Sequence, residues 1–196
     1  MALNKVPALS TTVIEKVHEI IGHDVIPLAG TLRITCAGAS GTAVRYTDPE
    51  DIRSQLDSLI SFVNKKLEVV VDDALPTPFI LRLLLRISAF FFAEFLKIHP
   101  FPNGNGRTAR LLVSYFLLSR VSTVPISLYL DGDREHFLRI LGEAQWRQNP
   151  APLTTFFLLS AQRTHFKAQY LLLTEEDDVA DNEFSSAYRE VGTHRK

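Results

Sequence analysis

Residues 79–110 read FILRLLLRISAFFFAEFLKIHPFPNGNGRTAR, an apolar stretch over 79–98 that runs into a loop rich in glycine and arginine. The apolar stretch carries four charged side chains, which are Arg82, Arg86, Glu94 and Lys97. At about 100° per residue, these four fall within roughly a third of the circumference of a helix, so the rest of its surface is apolar. Charges at mid-depth in a bilayer are costly, which argues against a membrane span. The stretch therefore predicts a buried core helix with a narrow polar stripe.

Outward from this segment, apolar residues recur at helical spacing in further stretches. Helices are predicted from a cap at Ser10, Thr11 or Thr12 to residue 21, then over residues 50–68, 105–120, 131–147 and 152–173. Residues 30–47 differ, because two β-type segments, 31–36 and 42–46, flank a centre rich in small residues and glycine. We therefore predict a mainly α fold of about six core helices with a short β-hairpin flap at residues 32–46.

Composition limits the function classes. The 196 residues include 46% hydrophobic residues, which excludes a wholly disordered chain, and one cysteine, Cys36, which excludes an intramolecular disulfide framework. We expect one domain over residues 1–173 and an acidic tail over residues 174–196. A reducing intracellular compartment, cytoplasm or nucleus, fits this cysteine usage, and a disulfide-free secreted protein would look the same.

The charge is unevenly distributed. The chain has 21 basic and 22 acidic residues, a net charge of −1, so extended nucleic-acid binding is not expected. Residues 174–196 hold seven acidic and three basic residues, which leaves 18 basic and 15 acidic residues before them. Residues 95–130 contain four basic residues and no acidic one. A local anion site can therefore exist in a nearly neutral chain.

The loop over residues 99–110 has the parts of such a site. Gly104 and Gly106 are expected to take left-handed backbone angles and to bring N–H groups close to a ligand. The following helix adds unpaired N–H donors and a partial positive charge, while Arg107 and Arg110 project from one side of its first turns. His99 at the mouth of the loop is a candidate general base. Each piece alone also fits a plain turn and helix start, but the twelve positions together favour the anion site.

This loop resembles the signature of the Fic (filamentation induced by cAMP) domain family, His-x-Phe-x-Asp/Glu-Gly-Asn-Gly-Arg-x-x-Arg, at eleven of its twelve positions. The resemblance covers about residues 13–173 and is closest to eukaryotic and class II-like protein AMP-transferases. It implies transfer of AMP from ATP to a Ser, Thr or Tyr hydroxyl of a target protein, with release of pyrophosphate. Transfer of another phosphate-linked group, such as UMP or phosphocholine, and nucleotide-binding regulation with weak turnover are the alternatives.

The resemblance also implies roles for individual residues. His99 would take the proton from the target hydroxyl, and Phe101 would anchor the loop in the core. The phosphates would be held by Gly104, Asn105, Gly106, Arg107 and Arg110. The flap would receive the target as an added strand. Asn103 stands where the family has an acid that binds Mg²⁺ or Mn²⁺, so weak metal binding is expected, with ATP supplying most of the metal's ligands.

Two further expectations come from the family. An inhibitory glutamate that pairs with Arg110 could be Glu190 in the tail or Glu15 near the N-terminus, each preceded four residues earlier by Ser or Thr. An adenine pocket would involve Phe137, Leu138 and Gln145, although Phe137 and Leu138 also fit a plain hydrophobic core. A homo-oligomer is compatible with the sequence, and no membrane partner is expected.

Overall fold

The computed structural model of the chain describes residues 8–38, 45–70, 77–118, 126–128 and 134–173. This part of the chain contains six α-helices: α1 (Thr11–Gly22), α2 (Ile52–Val69), α3 (Thr77–Ile98), α4 (Asn105–Leu118), α5 (Arg134–Trp146) and α6 (Ala151–Leu173). A 3-10 turn, Pro49–Asp51, leads into α2. Ser10 caps α1 by accepting the N–H of Val13 at 3.1 Å. The predicted mainly α fold is confirmed.

Helix α3 lies at the centre of the fold and packs against α2, α4, α5 and α6. Phe91, Phe92 and Phe95 on α3 are buried, whereas Arg82 and Arg86 are exposed, as the polar stripe predicts. These contacts fix α3 in the fold. The loop that begins at its C-terminal end is therefore fixed at that point.

Aromatic contacts hold the helices that flank α3. Phe91 meets Phe116 of α4 edge to face at 5.2 Å between ring centroids, and Phe92 meets Phe157 of α6 in the same way at 5.4 Å. Such pairs contribute roughly 0.5–1.5 kcal/mol beyond the burial of their area. Helix α4, which begins inside the glycine-rich loop, is thereby fixed against α3.

The predicted β-hairpin flap is not confirmed. The described part of this segment shows a single antiparallel bridge between Gly38 and Arg45, and Tyr46 N–H donates to the Ala37 carbonyl at 3.1 Å. Residues 39–44 lie outside the described residues. Nearer the base, the carbonyls of Thr35 and Thr47 accept hydrogen bonds from the side chain of Arg33.

The acidic segment 174–196, which includes Glu190, also lies outside the described residues. Among the helices that the structure describes, none combines the length and apolar character needed to cross a bilayer.

Candidate active site

His99 follows the last residue of α3 and adopts a left-handed backbone, with φ of 52°. Its N–H donates to the Phe95 carbonyl at 2.9 Å, which extends the hydrogen bonding of the helix by one residue. Its ring Nδ1 lies 3.3 Å from the Leu96 carbonyl. A carbonyl can only accept, so this contact favours the tautomer with the proton on Nδ1 and leaves Nε2 as a proton acceptor.

The surroundings of His99 favour the neutral ring. Burial lowers the pKa of His99 below its ordinary value of 6.5, the Leu96 carbonyl partly offsets this, and the charge of Arg33 lowers the pKa further. The ring stacks on Tyr46 with centroids 3.8 Å apart and planes within 3° of parallel. At pH 7 the imidazole is therefore a neutral base in a fixed orientation.

The middle of the loop is anchored by Phe101 and Asn105. Phe101 is completely buried, as predicted. The Asn105 side chain is also buried, accepting the Phe101 N–H at 3.0 Å and donating to the Phe101 carbonyl at 2.7 Å. Asn105 was expected to help hold phosphate; with its side chain closing the loop, only its backbone N–H can face a ligand.

His18 on α1 holds the loop from the other side. Its Nδ1 accepts the Gly30 N–H at 2.7 Å, and its Nε2 lies 2.9 Å from the Asn103 carbonyl, to which it donates. The ring also stacks on Phe101 at 3.7 Å. The neutral ring with its proton on Nε2 satisfies both contacts, and burial lowers the pKa of His18, which favours that neutral form.

Gly104 and Gly106 differ in conformation. Gly104 has φ of 78° and precedes α4, whereas Gly106 is the second residue of that helix. The expectation of a left-handed backbone is confirmed for Gly104 and is wrong for Gly106, because α4 begins one residue earlier and imposes helical angles. A Cβ on Gly104 would lie 2.7 Å from Ile26 Cδ1 and 3.0 Å from His18 Nε2.

The N-terminus of α4 presents the groups expected of an anion site. The Gly104 carbonyl accepts the Thr108 N–H at 3.0 Å, and the N–H groups of residues 105–107 belong to the first turn of α4, where they have no carbonyl partner within the helix. Arg107 is exposed, and the half-buried Arg110 places Nη1 3.6 Å from the point where a Cβ on Gly106 would be. The structure thus brings both arginines to the turn that begins α4.

Asn103 offers little to a metal ion. Its side chain is exposed, and its Oδ1 accepts the Gly104 N–H at 2.7 Å. One neutral oxygen that already accepts a hydrogen bond is a weak ligand for Mg²⁺, which prefers carboxylates. Within the described ranges no group of three His, Cys, Asp or Glu residues could hold a metal ion. The residues around the loop therefore do not fit a resident Mg²⁺.

The three residues expected at an adenine pocket have different surroundings. Phe137 packs on Phe92 at 5.9 Å and on Phe156 at 5.2 Å, Leu138 is exposed, and Gln145 donates to the Ala93 carbonyl of α3 at 3.1 Å. Phe137 therefore fits the core alternative.

Of the two candidate inhibitory glutamates, Glu15 lies within the structure's described ranges. Its carboxylate forms an ion pair with Arg53 at 2.8 Å. Glu190 remains an expectation.

The sequence did not predict a role for Arg33, which is buried. It lies in residues 31–36, the segment expected to be a strand, and contacts the loop that follows α3. Its Nε donates to the His99 carbonyl at 2.7 Å, and its N–H donates to the Pro100 carbonyl at 2.9 Å. Hydropathy gave no signal, because the neighbouring Ile34 is 89% exposed while the charged Arg33 is 4% exposed. An arginine in an otherwise uncharged β-type segment was the available clue.

Comparison with known proteins gives the family of the chain. The profile of the Fic/DOC family matches residues 8–117, more than half of the sequence, and the chain belongs to this family. The match contains the loop together with α1, which supplies His18, and the segment that supplies Arg33. The resemblance expected from the sequence is confirmed.

Solved structures share the fold. BepC, a VirB-translocated effector from Bartonella tribocorum with bound AMPPNP, has 17% sequence identity and a TM-score of 0.60, covering 76% of this chain and 72% of that chain. An N-terminal Fic domain from Bartonella quintana with bound ADP has 20% identity and a TM-score of 0.61, with 79% and 74% covered. Fic-1 (aa134 - 508) from C. elegans has 21% identity and a TM-score of 0.65, with 86% and 45% covered.

One curated protein matches a short part of the sequence. It is the ribonucleoside-diphosphate reductase small chain of Ostreid herpesvirus 1 (isolate France), with 42% identity over 55 residues. These residues are 28% of this chain and 8% of the viral protein. A match of this extent assigns no activity to the chain.

Proposed function

We propose that the chain is a protein adenylyltransferase, which transfers AMP from ATP to a serine, threonine or tyrosine hydroxyl of a target protein. The observation that carries the proposal is one loop in which a neutral His99 stands beside the N-terminus of α4 and two arginines. Family membership supports the proposal, and two structures of the same fold are described with AMPPNP and ADP.

The transfer breaks one bond to the α-phosphorus of ATP and forms another. The oxygen of the target hydroxyl attacks the α-phosphorus, and the bond to the bridging oxygen of the β-phosphate breaks. Pyrophosphate leaves with that electron pair. His99 Nε2 accepts the hydroxyl proton, because Nδ1 faces the Leu96 carbonyl. General base catalysis of this kind contributes on the order of 10²–10⁴ in rate.

The phosphates are bound by the beginning of α4. The N–H groups of residues 105–107 face the α- and β-phosphates, while Arg107 and Arg110 bind the β- and γ-phosphates. The Gly104 N–H contributes less than expected, since it donates to Asn103 Oδ1. Fixed donors and cations of this kind stabilise the charge that develops on the leaving pyrophosphate.

The reaction also requires magnesium and the target protein. Magnesium arrives with ATP as part of the substrate, since Asn103 is a poor ligand. The target docks beside residues 32–46 as an added strand, where Ile34 is 89% exposed and Arg45 is exposed. An extended target segment there would lie next to Tyr46, whose ring stacks on His99.

The test is mass spectrometry of the intact protein after incubation with ATP, UTP, GTP or CDP-choline, using His99→Ala as the control. We expect a mass gain of one AMP group with ATP and none in His99→Ala. A gain from UTP or CDP-choline would assign a different transferred group. A gain that persists in His99→Ala would contradict the mechanism.

A second candidate function is nucleotide-binding regulation, which the neutral Asn103 favours. This function predicts that the chain binds ATP, as measured by calorimetry. It also predicts that mass spectrometry detects no covalent product on the chain or on proteins of a cell extract.

A further inference from the structure

The backbone that carries His99 is in a conformation that needs support. His99 has φ of 52°, a region that residues with a Cβ rarely adopt. The carbonyls of Ile98 and His99 lie at the end of α3, where a helix has no N–H groups of its own to satisfy them. An imidazole that projects from this point keeps its place only if these carbonyls are held.

The Arg33 guanidinium is buried and donates to four backbone carbonyls. The acceptors are the carbonyls of His99 (2.7 Å), Ile98 (3.2 Å), Thr35 (2.7 Å) and Thr47. Two of them belong to the end of α3 and two to the ends of the flap segment. The cation also interacts favourably with the negative end of the α3 dipole. Arg33 thus ties the general base to both ends of the flap.

Tyr46 contacts the ring of His99, whereas Arg33 contacts its backbone. Its ring lies parallel to the imidazole at 3.8 Å, and its N–H donates to the Ala37 carbonyl on the opposite side of the flap. Tyr46 directly precedes Thr47, whose carbonyl accepts from Arg33. The backbone and the ring of His99 are therefore fixed by one short segment.

We propose that Arg33 and Tyr46 are positioning residues for His99, Arg33 through the backbone carbonyls and Tyr46 through the face of the ring. This inference rests on the proposed function, in which His99 takes the proton from the target hydroxyl. A lysine at position 33 keeps the charge but cannot donate in four directions, because it lacks the planar fork of a guanidinium. AMP transfer therefore depends on the fork, whereas ATP binding at α4 does not.

The test compares Arg33→Lys, Tyr46→Leu and Tyr46→Phe, with Arg86→Lys on the exposed face of α3 as the matched control. Three quantities are measured: the single-turnover rate of AMP transfer, ATP affinity by calorimetry, and the titration of the His99 ring by NMR. We expect Arg33→Lys to lower the rate by about 10- to 100-fold, the cost of a misplaced catalytic group. ATP affinity should stay within about threefold, because the cradle at α4 is intact.

The NMR titration reports on His99 without turnover. Release of the ring into water raises the His99 pKa toward its ordinary value in Arg33→Lys and in Tyr46→Leu, since burial is what lowers it. Tyr46→Phe restores the stack and should recover most of the rate and the wild-type titration. If the wild type transfers no AMP, the proposed function fails, and the titration still tests the positioning of His99.

Two outcomes overturn the inference. One is a folded Arg33→Lys whose rate and His99 pKa match the wild type. The other is a parallel loss of ATP affinity and rate, which would mean that Arg33 supports the whole loop. If Arg33→Lys does not fold, Tyr46→Leu decides, because it removes a ring contact without leaving the carbonyl partners of Arg33 unsatisfied; a wild-type rate and pKa there would contradict the inference.

Discussion

Replacement of Gly104 by alanine tests whether the loop is held as tightly as the contacts around it indicate. Gly104 has φ of 78°, and a left-handed backbone costs a residue with a Cβ roughly 1–2 kcal/mol. The new Cβ would also lie 2.7 Å from Ile26 Cδ1 and 3.0 Å from His18 Nε2. Overpacking of a buried site costs about 1–3 kcal/mol. The two effects together lower the free energy of unfolding by about 2–5 kcal/mol.

The matched control is Gly142→Ala in the middle of α5. A Cβ there would meet no atom within 4 Å, and alanine stabilises a helix interior by about 0.5–1 kcal/mol relative to glycine. The same chemical change should therefore have opposite signs at the two sites. Urea unfolding followed by far-ultraviolet circular dichroism measures both.

Gly104→Ala also predicts a change at the site. Relief of the close contact moves His18 away from the loop, so the hydrogen bond to the Asn103 carbonyl is lost. ATP affinity should fall together with stability. An unfolding free energy within about 0.5 kcal/mol of the wild type, the range of ordinary surface substitutions, would show that the loop is not tightly packed around Gly104.

Four other predictions concern the phosphate cradle, the base, the metal and the tail. Gly106→Ala should leave stability unchanged or higher, because its methyl would make an ordinary van der Waals contact with Arg110 Nη1 at 3.6 Å, but it should weaken ATP binding, because the methyl hinders the close approach of a phosphate to the backbone; calorimetry and urea unfolding measure the two effects, and unchanged affinity would contradict it. Because burial holds the His99 pKa below 6.5, kcat/KM for AMP transfer should be constant near pH 7 and fall about tenfold per pH unit only on acidification past that lowered pKa; a pH–rate profile that already declines above pH 6.5 would be inconsistent with a buried neutral base. Asn103→Asp should lower the magnesium concentration needed for half-maximal rate about fivefold or more, since one added charge contributes about 1 kcal/mol or more at contact distance in water; a magnesium titration identical to that of the wild type would oppose it. Deletion of residues 174–196 should increase auto-AMPylation if Glu190 inhibits through Arg110; an equal rate in the shortened chain would count against an inhibitory tail.

The central helix and the loop after it could be predicted from the sequence because their signals are local. A run of apolar residues with one polar stripe predicts a buried α3, and the burial of Phe101 is expected from the resemblance of the loop to the family motif. Glycine at residues 104 and 106 predicts left-handed positions, of which the structure has the one at Gly104. These features depend on neighbours within a few residues, which periodicity and turn chemistry capture.

The supports of the loop could not be predicted because they join residues far apart in the chain. His18 and the Asn103 carbonyl that it contacts are 85 residues apart in the sequence. Arg33 and the His99 carbonyl are 66 residues apart. Their partners are backbone carbonyls, which carry no signature in the side-chain sequence. The hairpin stays a prediction, since the described residues show one antiparallel bridge, between Gly38 and Arg45, and the carbonyls of Thr35 and Thr47 accept from Arg33. Phe137 shows a different case, because the family resemblance implied an adenine pocket, helical spacing also fitted a plain core, and the packing on Phe92 favours the core.

The most direct test of AMP transfer follows the label from ATP labelled at either the α- or the γ-phosphate. Wild-type protein and His99→Ala are incubated with each form, and the protein-bound label is counted after denaturing separation. We expect stable incorporation from the α-label only, and only with His99 present, because the bond to the β-phosphate is the one that breaks. Incorporation from the γ-label, or equal incorporation from the α-label in His99→Ala, would contradict AMP transfer by His99.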